Sequence, residues 1–279
     1  AIKDQSDRLI SCPEIFYNDK RAELLEKLAE ITPKGLTKTF LSNSGTEAVE
    51  AALKFSRKIT GKTDIISFTF GFHGRTMGAL SATWKAEYKK PFLPLVPGFC
   101  HTAYNNLEKL QEVITDNTAA IIVEPVQGEG GVKAANMDFI KGIREICDQK
   151  GILMIVDEVQ TGFGRTGELF AINRYNVSPD IMCLGKGIAG GIPMGATVVR
   201  EDLANLEKGE HGSTFGGNPL ACSASIAAIK TLKEEKLVEK SKENGEYFLS
   251  QLRKNIDESV YKDVRGLGLI IGIEMKQKV

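Results

Sequence analysis

The chain has 279 residues, 42% of them apolar, and 36 Lys and Arg balance 36 Asp and Glu to a formal net charge of zero. That length and composition support a large globular core with room for part of a second domain. They exclude the electrostatic footprint of a nucleic-acid binder, no apolar run is long enough to span a bilayer, and no basic-then-apolar signal segment opens the chain.

In chain order, helix-length amphipathic segments alternate with apolar runs of strand length. A helix is expected over Arg21–Ile31 and a strand over Lys38–Leu41. Ser44-x-x-Glu47 then reads as a capping box that opens a helix over Glu47–Ile59. Strands follow at Asp64–Thr69 and Ala120–Glu124, a helix at Asn136–Gln149, and strands at Ile152–Asp157, Ile181–Leu184 and Ala196–Val199. The run from Ile152 to Val156 is unbroken, which fits a strand buried on both faces. Helices over Pro219–Leu232 and Leu237–Asn255 precede short strands at Ile270–Glu274. This alternation predicts an α/β fold with a mostly parallel sheet covered on both faces, where ligands bind outside the carboxyl ends of the strands. A change to helical, highly charged sequence near Ser225–Lys240 divides the chain into a large domain, 1–224, and connecting helices with the start of a small α+β domain, 225–279.

Some motifs fail. Gly61-Lys62-Thr63 ends like a phosphate-binding loop, but the glycine required five residues before Gly61 is Ser56. Gly266-Leu-Gly268 lacks the third glycine of a dinucleotide turn, because that position is Ile271. Both read as structural turns. His73, His101 and His211 lack ligand spacing, so no metal is expected. Cys12, Cys100, Cys147, Cys183 and Cys222 are scattered, odd in number and without a C-x-x-C pair, which fits reduced thiols in the cytoplasm. The chain opens on Ala1 and ends abruptly, so a fragment of a longer protein is expected.

One pair does carry chemistry. Asp157 directly follows a buried strand, and Lys186 follows the next one, 29 residues later, where it opens into glycines. Alone, each reads as a surface residue at a strand end. Together they supply what pyridoxal 5′-phosphate (PLP) needs, an amine for a Schiff base and an acid to pair with the pyridine nitrogen. The start of the helix after Ser44 offers free amides to a phosphate, and Gly212-Ser213-Thr214 offers hydroxyls more weakly.

Ser44-Gly-Thr-Glu-Ala48, Gly71-Phe-His-Gly-Arg-Thr76, the segment Glu124–Gly131 (EPVQGEGG), the segment Asp157–Gly167 (DEVQTGFGRTG) and the segment His211–Pro219 (HGSTFGGNP) together resemble the class III aminotransferases of PLP fold type I. The resemblance covers nearly the whole chain. Within that class it is most similar to the acetylornithine and LysW-γ-lysine/ornithine aminotransferases of arginine and lysine biosynthesis. The stretches Arg75–Trp84 and Pro91–Gly98 lean toward the LysW type.

The resemblance implies that Lys186 holds PLP covalently and shuttles the proton, and that Asp157 pairs with the ring nitrogen. It places Gln160 at the ring hydroxyl, Phe72 against the ring and His73 among the cofactor contacts. Ser44, Gly45 and Thr46 would hold the phosphate in one subunit, and Thr214 would reach the phosphate of the partner in a homodimer. Arg75 would grip a substrate carboxylate, Glu124 would line the substrate side, and Glu129 would pair with an arginine of the family's C-terminal segment. That segment and the family's N-terminal segment are not matched here. The implied reaction moves the ω-amine of acetylornithine or a LysW-linked lysine or ornithine to 2-oxoglutarate. A 4-aminobutyrate or ornithine aminotransferase, a related aminomutase, decarboxylase or epimerase, and an inactive scaffold or fragment remain open alternatives. Lys85, Lys89 and Lys90, beside Trp84 and Tyr88, read as a solvated face, or as a patch that steers an acidic carrier protein of the LysW type.

Overall fold

The computed structural model describes residues 1–277; the last two residues of the expected C-terminal segment lie outside the described residues. The helices are α1 (Ile2–Ser6), α2 (Asp19–Ile31), α3 (Gly45–Thr60), α4 (Met77–Ala82), α5 (Ala86–Lys89), α6 (Leu107–Val113), α7 (Met137–Lys150), α8 (Pro219–Glu234) and α9 (Leu237–Asn255). The strands are β1 (Leu36–Ser42), β2 (Asp64–Phe68), β3 (Phe99–Thr102), β4 (Thr118–Val123), β5 (Val126–Gln127), β6 (Lys133–Ala134), β7 (Leu153–Asp157), β8 (Ile181–Leu184), β9 (Gly195–Arg200), β10 (Tyr261–Leu267) and β11 (Ile270–Met275).

A seven-stranded sheet runs in the order β1-β9-β8-β7-β4-β2-β3. Strands β3, β2, β4, β7 and β8 are parallel, and β9 runs opposite to both β8 and β1. Side chains alternate across a strand, so one apolar run feeds two cores. Along β7, Leu153 and Ile155 join Ala48, Ala52 and Phe55 of α3, whereas Met154 and Val156 join Leu24 and Leu28 of α2 and Phe139 and Ile143 of α7. These burials explain why Ile152–Val156 carries no polar residue.

The six strands expected in this sheet are all present within two residues of their expected ends. The edge strand β3 was not anticipated; its four residues, Phe-Cys-His-Thr, are too few and too mixed to show a period. Helix α3 starts two residues earlier than expected and stops at Gly61, whose φ of +68° makes it the left-handed cap. That cap accounts for the failed phosphate-loop motif. Beyond α9, β10 and β11 form an antiparallel hairpin that docks on the loop after β7, with Leu269 N donating to Arg165 O at 2.9 Å. Among the described residues, no helix is long and apolar enough to cross a membrane and no cluster of potential ligands could hold a metal.

Candidate active site

The parallel strands share one carboxyl edge, and the loops leaving it carry the polar residues. Asp157 ends β7, which pairs in parallel with β8 so that Asp157 lies opposite Cys183. Lys186 follows two residues after β8, Glu124 directly after β4, and the Gly71–Thr76 loop after β2. Helix α3 begins at the same edge, three residues after β1. A cavity of about 240 Å³ is lined by Gly45, Thr46, Phe72, His73, Arg75, Glu124, Asp157, Gln160 and Lys186. Lys186 and Gln160 also line a larger cavity, of about 530 Å³, on the side of Phe163 and Ile270.

Asp157 is 5% exposed, and two donors hold it. Val159 N donates to Oδ1 at 3.0 Å, and His73 Nδ1 lies 2.8 Å from Oδ2. Burial alone would lower the proton affinity of His73, but the hydrogen bond and charge of Asp157, with Glu124 behind them, outweigh it and raise the pKa. Glu124 is buried beside them. Desolvation and the neighbouring Asp157 push its pKa up to about 7, against the opposing pull of His73, the Phe72 amide and Lys186. Its Oε2 accepts from Phe72 N at 3.0 Å, which ties the Gly71–Thr76 loop to the end of β4.

Lys186 has a φ of +44°, a region that non-glycine residues populate sparsely. The turn that imposes it is fixed from behind: Ile188 N donates to Gly185 O at 3.1 Å, and Ser225 Oγ of α8 donates to Ile188 O at 2.7 Å. The Asp157–Thr161 loop is fixed by Glu158, which is fully buried. Thr161 Oγ1 donates to one oxygen of Glu158, and Ile172 N donates to the other at 2.7 Å.

At the start of α3 the first amides have no intrahelical acceptor, so Gly45 and Thr46, which line the cavity, have N–H groups free for an anion. A Cβ on Gly45 would come within 2.5 Å of Val159 Cγ1, so only glycine lets the helix end approach the Asp157 loop this closely. A phosphate cradle, a buried carboxylate and a lysine on one cavity wall fit a phosphorylated pyridine aldehyde. Any group of this kind would find its anion, ring nitrogen and carbonyl partners within one enclosure.

Ser44 and Glu129, expected at the site, stand outside this cavity, and Thr214 is expected at the partner's phosphate and not at this one. Ser44 caps α3, accepting from Glu47 N at 3.3 Å and donating to Glu47 Oε2 at 2.9 Å, and it is not part of the cavity wall. Glu129 is exposed and lines an adjoining hollow. Thr214 is exposed in the turn before α8. Sequence reasoning missed the partner of His73, because 84 residues separate it from Asp157. It also missed Glu50, whose Oε1 accepts from Thr76 Oγ1 at 2.6 Å, Gly78 N at 2.8 Å and Ala79 N at 3.0 Å. A glutamate inside an amphipathic helix gives no sign of such a task.

Against known proteins, residues 1–279 match the family described as Aminotransferase class-III. The acetylornithine aminotransferase of Methanopyrus kandleri is 52% identical over 276 residues, covering 99% of this chain and 70% of that protein. The [LysW]-aminoadipate semialdehyde transaminase of Deinococcus radiodurans is 46% identical over 281 residues, covering 100% of this chain and 65% of that protein. A solved structure of ornithine aminotransferase from Toxoplasma gondii, described as having partial occupancy of PLP at its active site, superposes with a TM-score of 0.94. It is 37% identical and covers 99% of this chain and 68% of its own.

Proposed function

The chain belongs to the class III aminotransferases, and we propose that it is the PLP-dependent enzyme that moves the ω-amino group of acetylornithine, or of a LysW-linked lysine or ornithine, to 2-oxoglutarate. The products are an aldehyde and glutamate, in arginine or lysine biosynthesis. The observation that carries this reading is the meeting of Asp157, Lys186, Arg75 and the free amides of Gly45 and Thr46 around one cavity. When bound, PLP supplies the carbonyl that takes up the amino group and a ring that withdraws electrons from the substrate carbon.

The chain's own residues would do the rest. Lys186 Nζ would hold the cofactor, and would accept and return the proton that leaves the donor carbon. Asp157, oriented by His73 and Val159 N, would keep a proton on the ring nitrogen. Gly45 and Thr46 N–H would bind the phosphate, with Gln160 and Phe72 against the ring. Arg75 lines the cavity with its guanidinium carbon 3.9 Å from the Tyr88 ring centroid, so it is presented as a planar fork for a carboxylate. Glu124 and Glu129 would bound the substrate side.

In this reading, residues 1–224 form the PLP-binding domain and 225–279 the connecting helices and the beginning of a small domain. A homodimer would bring Thr214 to the partner's phosphate, and the enzyme would work in the cytoplasm, with an acidic carrier protein as a further partner. The test is an assay of the complete protein with 2-oxoglutarate and a panel of donors. N-acetylornithine should outpace 4-aminobutyrate, and Arg75→Ala should lower kcat/KM chiefly for donors with an α-carboxylate. A strong preference for 4-aminobutyrate, or for α-amines of simple amino acids, would contradict the substrate assignment.

A further inference from the structure

The loop after β2 is held by three consecutive amides, each on a different element. Gly71 N donates to Phe68 O of β2 at 3.1 Å, Phe72 N to Glu124 Oε2 at 3.0 Å, and His73 N to Thr83 Oγ1 at 2.9 Å. A main-chain carbonyl and a threonine hydroxyl stay neutral at every working pH, so Glu124 alone of the three acceptors can gain or lose a charge. Glu124 is 6% exposed and lines the Lys186 cavity. Among the described residues its second oxygen, Oε1, accepts no hydrogen bond. The loop it holds brings Phe72 and Arg75 to the same cavity, with the Arg75 guanidinium carbon 5.5 Å from the Phe72 ring centroid. One titratable side chain thus touches both the chamber and the backbone of the loop that walls it.

Resting on the aminotransferase reading above, we propose that Glu124 is a positioning residue: its ionised carboxylate draws in the Phe72 amide and so sets the loop that presents Phe72 and Arg75 to cofactor and donor. The protonated acid still offers that amide an oxygen, but a hydrogen bond to a charged acceptor is about twice as strong. The groups facing Glu124 decide when it ionises. Burial and Asp157 favour the acid, whereas His73, the Phe72 amide and Lys186 favour the carboxylate, and the balance puts its pKa at about 7. Arg75 shares the cavity as a fixed cation, and Tyr104, whose hydroxyl donates to Glu124 O at 2.8 Å, is kept un-ionised by its burial. Because the Phe72 amide favours the ionised form, ionisation strengthens that hydrogen bond by the same free energy. The loop is therefore looser below neutral pH and tighter above it. A donor ammonium entering the cavity would tighten it further by drawing Glu124 to its charged form, the proton passing to solvent.

Hydrogen exchange at the Phe72 amide, followed by mass spectrometry on the complete protein after cofactor removal, reads the contact directly. Corrected for the intrinsic rate, protection in wild type should rise about three- to tenfold from pH 6 to pH 8. Glu124→Gln keeps an acceptor without a charge and should stay near the pH 6 level throughout, and Glu124→Ala should fall below both. In the holoenzyme with 2-oxoglutarate, KM for N2-acetylornithine should fall with rising pH in wild type. Glu124→Gln should raise that KM and lose the dependence, with kcat changing less. Flat protection in wild type, which needs no variant to fold, overturns the proposal, and so does an equal rise in Glu124→Gln. A wild-type KM trend that persists in Glu124→Gln overturns the link from Glu124 to Arg75. Each of these leaves the aminotransferase reading in place. A holoenzyme that turns over no amino donor overturns that reading instead, and the exchange result still decides whether Glu124 sets the loop.

Discussion

His73 Nδ1 and Asp157 Oδ2 lie 2.8 Å apart, with both side chains withdrawn from solvent at the carboxyl edge of the sheet. The imidazole is itself anchored, since His73 N donates to Thr83 Oγ1 at 2.9 Å. A buried carboxylate that loses a charge-assisted donor loses on the order of 1.5–3 kcal/mol. His73→Ala should therefore lower turnover about 10- to 100-fold and shift the pH midpoint of the cofactor absorbance. His73→Asn retains a donor and should recover part of both. Unchanged rates with an unchanged midpoint in the alanine variant would show that His73 only fills space.

Glu158 supports a prediction about stability and pH. Desolvation raises its pKa to about 7 from 4.5, although Thr161 and the Ile172 and Ala171 amides work against the shift. An acid whose pKa is raised on folding contributes stability that is complete below pH 4.5 and is lost as pH rises through 7. The wild-type protein should lose up to ~3 kcal/mol from this group between pH 4.5 and 8. Glu158→Gln should lose markedly less over the same range. Urea midpoints of the two proteins at pH 5 and pH 8 check this, and parallel losses would remove Glu158 as the cause.

Thr46 allows the cradle to be dissected. Thr76 Oγ1 donates to Glu50 at 2.6 Å, so at the 2.7 Å contact between the two threonines it is the Thr46 hydroxyl that gives its proton to Thr76. That leaves the amide of Thr46, not its hydroxyl proton, free for a phosphate. Thr46→Ala should then bind the cofactor within a few-fold of wild type and cost only ~1 kcal/mol of stability. Glu50→Ala should be worse, because it strips three donors of one acceptor and loosens the turn that follows Arg75, raising KM for carboxylate donors. A large loss of cofactor affinity in Thr46→Ala, titrated by fluorescence, would return the role to the hydroxyl.

The sheet was legible because strands such as Ile152–Asp157 are apolar on both faces and end in polar residues. The pairing of Asp157 with Lys186 was legible because adjacent parallel strands place their carboxyl ends together. What could not be read were contacts made across the fold. His73 reaches Asp157 from the β2 loop, Glu50 reaches the Thr76 turn from α3, and Glu158 turns inward to hold its own loop. Each is a polar residue in a segment whose period says only helix, strand end or turn. Ser44 shows the reverse, a motif residue whose hydroxyl is already committed to its helix.

The claim that Lys186 is the cofactor's attachment point is tested most directly by borohydride reduction of the holoenzyme, followed by digestion and peptide mass spectrometry. The account predicts a phosphopyridoxyl group on Lys186 and on no other lysine, absent after Lys186→Ala substitution. A label on any other lysine, or none on a protein that turns over its donor, would contradict it.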